Sequence, residues 1–422
     1  MKKFSMIALI VVLAMVFTGC TTSEKEFLKA YKKTMDINSM ESEITFNLGL
    51  EGEGFSPEQQ LAVDQMASVL SNFQINMIQK MTQNKEKTAS KAFGQVEMNM
   101  GGMIVPMSVW VDVDMSSESP KLVEYIKMPQ MIMGSIYPEK PALEYIVYDF
   151  SKLSGEEGQQ FNFNKLMELS KEMQPKIMEL IDNYMNNFDL NMELIKNKGK
   201  RDVNGETLSI YELKLDDAQF KELLTSTVNY SLETKEMLNF IKEYMKFVAS
   251  ITEVTQDGQQ LSQEEVIAEI DNLEKEIPQV KAKFNEFMDS IKDIKIIGDN
   301  GIVIEYGINK DGYIVYEAGS IDLRLDLEAL SKLAKANREP VEGSVVEPIK
   351  GILKLRLNYS SKIKNINKDI EILMPEVNEE NSIDFIDLMN VNEPVPAPEP
   401  TVGVIGGADG PTEIYVDSTL NK

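Results

Sequence analysis

Residues 26–54 read EFLKAYKKTMDINSMESEITFNLGLEGEG, and the hydrophobic period changes inside them. Phe27, Leu28, Tyr31 and Met35 recur at three- and four-residue spacing, which gathers them on one face of a helix. Ile44, Phe46, Leu48 and Leu50 alternate with polar residues, which gathers them on one face of a strand. The stretch is a helix, a turn and a half-buried antiparallel strand.

The same two periods divide the rest of the chain. SPEQQLAVDQMASVLSNF opens a helix, with Ser56 as N-cap, Pro57 at the first helical position and Glu58 in the first turn. Five short alternating runs follow between Ile75 and Phe150, broken by Gly, Pro and Ser clusters, and they predict an antiparallel sheet with one wet face. Apolar residues from Leu166 to Leu194 return to helical spacing, with a break at Pro175. Asn204-Gly205 marks a hairpin, and three helical stretches lead to a second sheet region. There, Asp299-Asn300-Gly301 and Lys310-Asp311-Gly312 read as turns, and residues 351–375 read as two further strands. Helix, strands, helices, strands is the order of an α+β protein, with a large curved antiparallel sheet packed on helices. The body spans 26–390; a division into two lobes would fall near residue 200. A Pro-rich linker occupies 391–401 and a Gly-rich tail 402–422.

Composition excludes more than it assigns. The 422-residue chain is 43% hydrophobic and 26% charged, as folded proteins are, and its net charge of −25 leaves no basic stripe for nucleic acid. It has no histidine, which removes imidazole bases, catalytic triads and histidine-ligated metals. Its one cysteine, Cys20, removes disulfides within the chain and thiolate clusters. Asp112 and Asp114 share a strand face, yet among 68 acidic residues such pairs arise by coincidence, and an enzyme is not expected. Asn309-Lys310-Asp311-Gly312 lacks the acidic loop and closing glutamate of a calcium site. No cofactor is expected.

The amino terminus bears on location. Two lysines precede an apolar run from Met6 to Phe17, the length of a signal-peptide core, and small residues lead to Cys20. Phe17-Thr18-Gly19-Cys20 resembles the lipobox of bacterial lipoproteins, with Phe17 where that family prefers leucine. The resemblance implies that 1–19 is removed and that Cys20 carries a diacylglycerol. It also implies a chain held to the membrane on its non-cytoplasmic side by residues 20–25, a short polar tether. Each buried methylene contributes roughly 0.8 kcal/mol, so two or three acyl chains anchor firmly.

Over residues 25–375 the pattern resembles the outer-surface lipoproteins of the LolA and LppX type, carried by the first helix, the sheet regions on both sides of helices, and INKDGYIVYEAGSIDLRLDLEAL at 308–330. That family folds as a half-barrel of antiparallel strands around helices and takes acyl chains in an apolar cavity. The resemblance implies a lipid or another amphiphile as ligand. Met98, Met100, Met103, Met107, Trp110, Met131 and Met133 crowd one strand-rich stretch, and methionine adapts to irregular apolar partners, so these residues are the expected ligand wall. MNM at 98–100 and MIM at 131–133 would also offer thioethers to Cu(I). Such a site needs three or more methionines converging, and no metal is assigned.

The tail VGVIGGADGPTEIYV resembles a motif of the beta subunit of sodium-translocating decarboxylases through Gly406, Gly407, Ala408, Asp409, Gly410, Pro411 and Thr412. By position Asp409 would be the ion-handling carboxylate. The remainder of that family is long apolar spans, which this body lacks, so pump activity does not follow. The glycines force turns between two short β-prone runs, and a small hairpin that docks on a sheet edge fits them. The alternative to lipid binding is therefore a structural surface lipoprotein that contacts a protein partner through this tail.

Overall fold

The computed structural model describes residues 22–116, 121–138, 140–150, 192–251, 255–256, 259–260, 273–336, 350–385 and 387, with positions 175–176, 179–180, 183 and 187–188. Twelve strands form one open sheet, antiparallel except at one edge. The first half is a meander: β1 (Ser39–Glu53), β2 (Gln74–Gln83), β3 (Ala89–Met100), β4 (Met103–Asp114), β5 (Lys121–Lys127) and β6 (Tyr145–Asp149) lie side by side in chain order. The second is another: β7 (Ile195–Val203), β8 (Glu206–Leu215), β11 (Ile297–Ile308), β12 (Ile314–Asp326) and β13 (Ile352–Lys364). The meanders fuse where β1 pairs with β13, from Glu41↔Lys364 to Glu53↔Ile352. β14 (Ser382–Asp384) closes the outer edge, parallel to β6. The two-residue strands β9 (Thr255–Gln256) and β10 (Gln259–Gln260) form a separate ribbon.

Helical connections between strands lie at one end of this sheet, where the β3–β4 turn also lies, and most tight turns lie at the other. Strand directions place the β2–β3, β7–β8 and β11–β12 turns at one end, and there the turn residues read from the sequence hold: Asn204 and Gly205 have φ of 55° and 85°, as a tight hairpin requires. At the other end lie the helical connections: α2 (Pro57–Ser71) between β1 and β2, α3 (Gln130–Ile136) between β5 and β6, and α4 (Asp217–Glu233), α5 (Lys235–Ile251) and α6 (Leu273–Ser290) between β8 and β11. α7 (Leu327–Ala336) follows β12 there. Ser56 caps α2 in a reciprocal box with Gln59, and Pro57 opens it.

The core sits on one face of the second meander. Tyr211, Leu213 and Leu215 of β8, with Tyr306 of β11, pack against Phe27 and Leu28 of α1 (Thr22–Met35), Leu223 of α4, and Met237 and Phe240 of α5. A second cluster, Val228, Leu232, Ile241, Val280 and Phe284, joins α4, α5 and α6. α1 lies along the strands of the second meander. Near its start Glu24 accepts a hydrogen bond from Leu194 N–H, and near its end Thr34 Oγ1 accepts one from Ile314 N–H. Thr22 to Lys25, the last four residues of the expected tether, lie in α1, with Glu24 buried.

Two turn and strand expectations are corrected. Asp299-Asn300-Gly301 is not a turn between strands but a bulge inside β11, where the register slips between Ile297 and Ile302. Asn300 donates through N–H and Nδ2 to buried Asp322, and Gly301 has φ of 73° with no room for a Cβ beside the Leu215 carbonyl. Of the two strands expected at 351–375, only β13 forms; after Lys364 the chain turns at Asn365 and Asn367, both with positive φ, and pairs again only at β14.

Asp217 ties α4 to the start of β11. Its Oδ1 accepts from the N–H groups of Ile296 and Ile297 at 2.7 and 2.8 Å, and its Oδ2 lies 2.7 Å from Lys221 Nζ. Asp217→Ala strands two N–H donors and is expected to cost about 2–4 kcal/mol, read as a shift in denaturant midpoint, with Asp217→Asn losing less.

Candidate functional site

Register extends the helix-packed face of the second meander across the whole sheet. Side chains opposite one another on paired strands share a face. Tyr306 leads through Glu317 and Ser361 to Ile44, Met77, Val96 and Met107; the next row runs Ile304, Gly319, Tyr359, Phe46, Ile75, Met98 and Val105. In the first meander this inner face is mostly apolar, with Ser42 bonded to Gln79 toward the turn end and Glu124 on β5 as polar exceptions. The outer face is mostly polar and cross-linked, Glu43 with Lys364, Glu41 with Lys80, and Arg201 with both carboxylate oxygens of Glu305, apart from a small buried cluster of Leu208 and Ile210 on β8. Exposed pairs of this kind contribute at most about 1 kcal/mol each, so they mark the wet side more than they hold it.

What covers the inner face differs between the halves. Over β8 and β11 it carries the main buried cluster. Over β1 to β4, among the described residues, no buried cluster forms on it; Ile44, Phe46, Ile75, Met77, Val96, Met98 and Met107 are half-buried, and Leu48 is exposed. α2 covers only the far end of β1, where Gly52 leaves room for Val63.

A polar group stands where the covered and half-covered parts meet. Tyr359 Oη donates to Glu317 Oε1, and Tyr306 and Tyr31 flank the same carboxylate. Gly319 makes this possible: a Cβ there would lie 2.4 Å from Cε1 of Tyr359, so glycine lets the ring lie flat against β12. Phe46 stacks on the other side of Tyr359 with ring centroids 6.1 Å apart. Burial raises the Glu317 carboxyl above the usual range, and the bond from Tyr359 offsets only part of that. Burial and Glu317 together push the phenols of Tyr359 and Tyr306 up, so both stay protonated donors.

The sign of that shift sets a pH dependence. The folded chain holds the Glu317 proton more tightly than the unfolded chain, so this group's stability is fully present below the ordinary glutamate value, about 4.3. It is lost as pH rises through the raised folded value. Glu317→Gln is neutral at every pH and still accepts from Tyr359. It is expected to gain on the parent protein as pH rises; parallel stability curves for the two proteins would show that the carboxyl ionises unhindered.

The seven residues of the expected wall separate. Met98 and Met107 do share the inner face, and Met103 opens β4 on the same side, opposite Met100 at the β3–β4 turn. Trp110 is one residue out of phase with Met107 and Val109, so it points to the outer face, where its ring lies 5.1 Å from that of Phe93 and 6.3 Å from that of Tyr145. Met131 and Met133 are on a helix, α3, and not a strand. Met131 is 64% exposed, and Met133 is 1% exposed in a local cluster with Tyr137, Leu143 and Ile383. The two thioethers of MIM therefore point apart, one to solvent and one into that cluster. Phe46, Ile75, Met77 and the Glu317–Tyr359 pair stand outside the expected wall; alternation within β1 and β2 carried the signal for the first three.

The other candidates are accounted for. Asp112 is bonded to Lys121 on the outer face, and Asp114 Oδ1 accepts from the N–H and hydroxyl of Ser116. Asn309 Oδ1 accepts from the N–H groups of Asp311 and Tyr313, which makes 309–313 a side-chain-braced turn. A cavity of about 290 Å³ lies among the helices that pack over β8 and β11, lined by Leu180, Asn183, Tyr230, Glu236 and Met237 among others. It is at the small end for an organic ligand. Among the described residues no helix is long and apolar enough to cross a membrane. Cys20, the linker and the tail residues Gly406 to Thr412 lie outside the described residues. The chain matches no known protein-family model and shows no significant similarity to a curated protein.

Proposed function

We propose that the protein is a membrane-anchored, extracytoplasmic lipoprotein that binds or carries an amphiphile on the inner face of its sheet. The observation that carries this reading is the row of half-buried apolar side chains from β13 through β1 to β4, on the same face that elsewhere in the sheet is sealed by helices. A folded chain ordinarily buries such a face, and an extended apolar surface left half-covered suits an acyl chain. Glu317, Tyr359 and Tyr306 sit at one end of these rows as hydrogen-bonding groups for a polar head. The lipobox reading of residues 17–20 supplies the anchor, and the absence of histidine from the whole chain supports binding in preference to catalysis.

Native mass spectrometry and fluorescent fatty-acid uptake on a form lacking residues 1–20 test the binding function. Copurified lipid, or saturable uptake near one equivalent, is expected. A ligand-free chain that takes up no fatty acid would rule out the carrier.

A further inference from the structure

At the helical end of the sheet, five exposed large apolar side chains of the first meander gather. Leu61, Met66 and Val69 of α2 and Met103 and Ile104 at the β3–β4 turn are between 48 and 62% exposed. They share one end because β1 runs toward α2, and β3 and β4 meet at Gly101-Gly102 beside the start of β2, to which α2 returns. α2 turns Val63 toward Gly52 and leaves Leu61, Met66 and Val69 facing away. Its only charged residues are Glu58 and Asp64, so nothing on it attracts a phosphate. Apolar residues at a helix surface without basic partners fit hydrocarbon better than headgroups.

The chain's own start fixes where that end stands. The first turn of α1 lies at the same end: Glu24 is bonded to Leu194, the residue before β7, whose Ile195 pairs with Leu213 near the end of β8. Cys20 is two residues before Thr22, a reach of about 7 Å. The short tether and the apolar rim therefore belong to one end of the molecule.

We infer that this rim, Leu61, Met66, Val69, Met103 and Ile104, seats in the same lipid surface that holds Cys20. The inference rests on the anchor proposed above. Docked this way, the inner face of β1 to β4 opens at the bilayer, and an acyl chain passes between the two without crossing water. The rim, not the acidic outer face, makes the contact.

The test uses the full-length chain, isolated from membranes and reconstituted in phosphatidylcholine vesicles. Cys20 is the only native cysteine, so with its sulfur acylated an introduced cysteine is the sole label site. Val69→Cys, Ile104→Cys and, at the opposite end in the β2–β3 turn, Glu86→Cys each receive a solvent-sensitive fluorophore, and lipids spin-labelled in the upper acyl chain act as quenchers. Blue-shifted, strongly quenched emission at 69 and 104, with water-like unquenched emission at 86, is expected. Water-like emission at all three sites, with intact mass showing an acylated Cys20, would overturn the docking and leave the anchor standing. A blue shift at 69 and 104 without lipid quenching, growing with protein density, would assign the rim to a second copy of the chain and also overturn it. An unacylated Cys20 would remove the anchor reading and this inference with it.

Discussion

Phe27→Ala is expected to cost about 3–5 kcal/mol, the range for deleting a buried aromatic ring. Phe27 is 1% exposed, and its ring approaches those of Tyr306 at 4.7 Å, Tyr31 at 6.3 Å and Tyr211 at 6.5 Å. The polar ties of α1 cannot compensate. Glu24 to Leu194, Glu26 to Tyr211 and Thr34 to Ile314 each contribute about 1 kcal/mol net, and all depend on the helix being seated. Against a typical total of about 5–15 kcal/mol the loss is large enough to populate unfolded chain at moderate denaturant. The denaturant midpoint measures it, and a loss under about 1 kcal/mol would mean that α1 is held by something other than this ring.

Met98→Asp with Met107→Asp is expected to abolish amphiphile uptake while leaving the fold intact. Both side chains project from the inner face on adjacent strands, and both are half-buried, so an ionised carboxylate reaches solvent in the empty protein. Against an acyl chain it cannot, and each unpaired polar group then costs about 1–3 kcal/mol, roughly 5- to 150-fold in affinity per substitution. Gln95→Asp with Ser108→Asp is the control, a cross-strand pair on the same two strands turned to the outer face. Uptake should survive in the control. Equal uptake by the two double variants would place the ligand elsewhere.

Local period made most elements legible. The switch between Met35 and Ile44, the Ser56-Pro57 helix start, the Asn204-Gly205 hairpin and the five short strands of the first meander all follow from neighbours in sequence. Illegible was whatever depends on a partner far along the chain. Asp299-Asn300-Gly301 has the composition of a turn, and only Asp322 across the sheet makes it a bulge. The expected strand near 370 is apolar enough but finds no edge to pair with.

The candidate site divides in the same way. Counting methionines located β3 and β4, but composition carries no phase, and one residue of offset sends Trp110 to the opposite face from Met107. Pro129 and Gly134 left α3 looking like a broken strand, although seven residues there wind into a helix seated on Met133. Glu317 was invisible because its environment is assembled from α1, β11, β12 and β13. One glutamate among 68 acidic residues has no local signature.

The seam between the meanders governs how the molecule is made. Lys364 meets Glu43 across 321 residues, so β1, among the first strands to leave the ribosome, must wait for one of the last before its second edge is satisfied. Pairings of that separation close slowly, because the intervening chain loses its freedom before the contact repays it. Until β13 arrives, the nascent first half presents a bare strand beside a greasy surface, the combination that recruits other chains. A truncation that ends before residue 352 is therefore expected to aggregate instead of yielding half a protein.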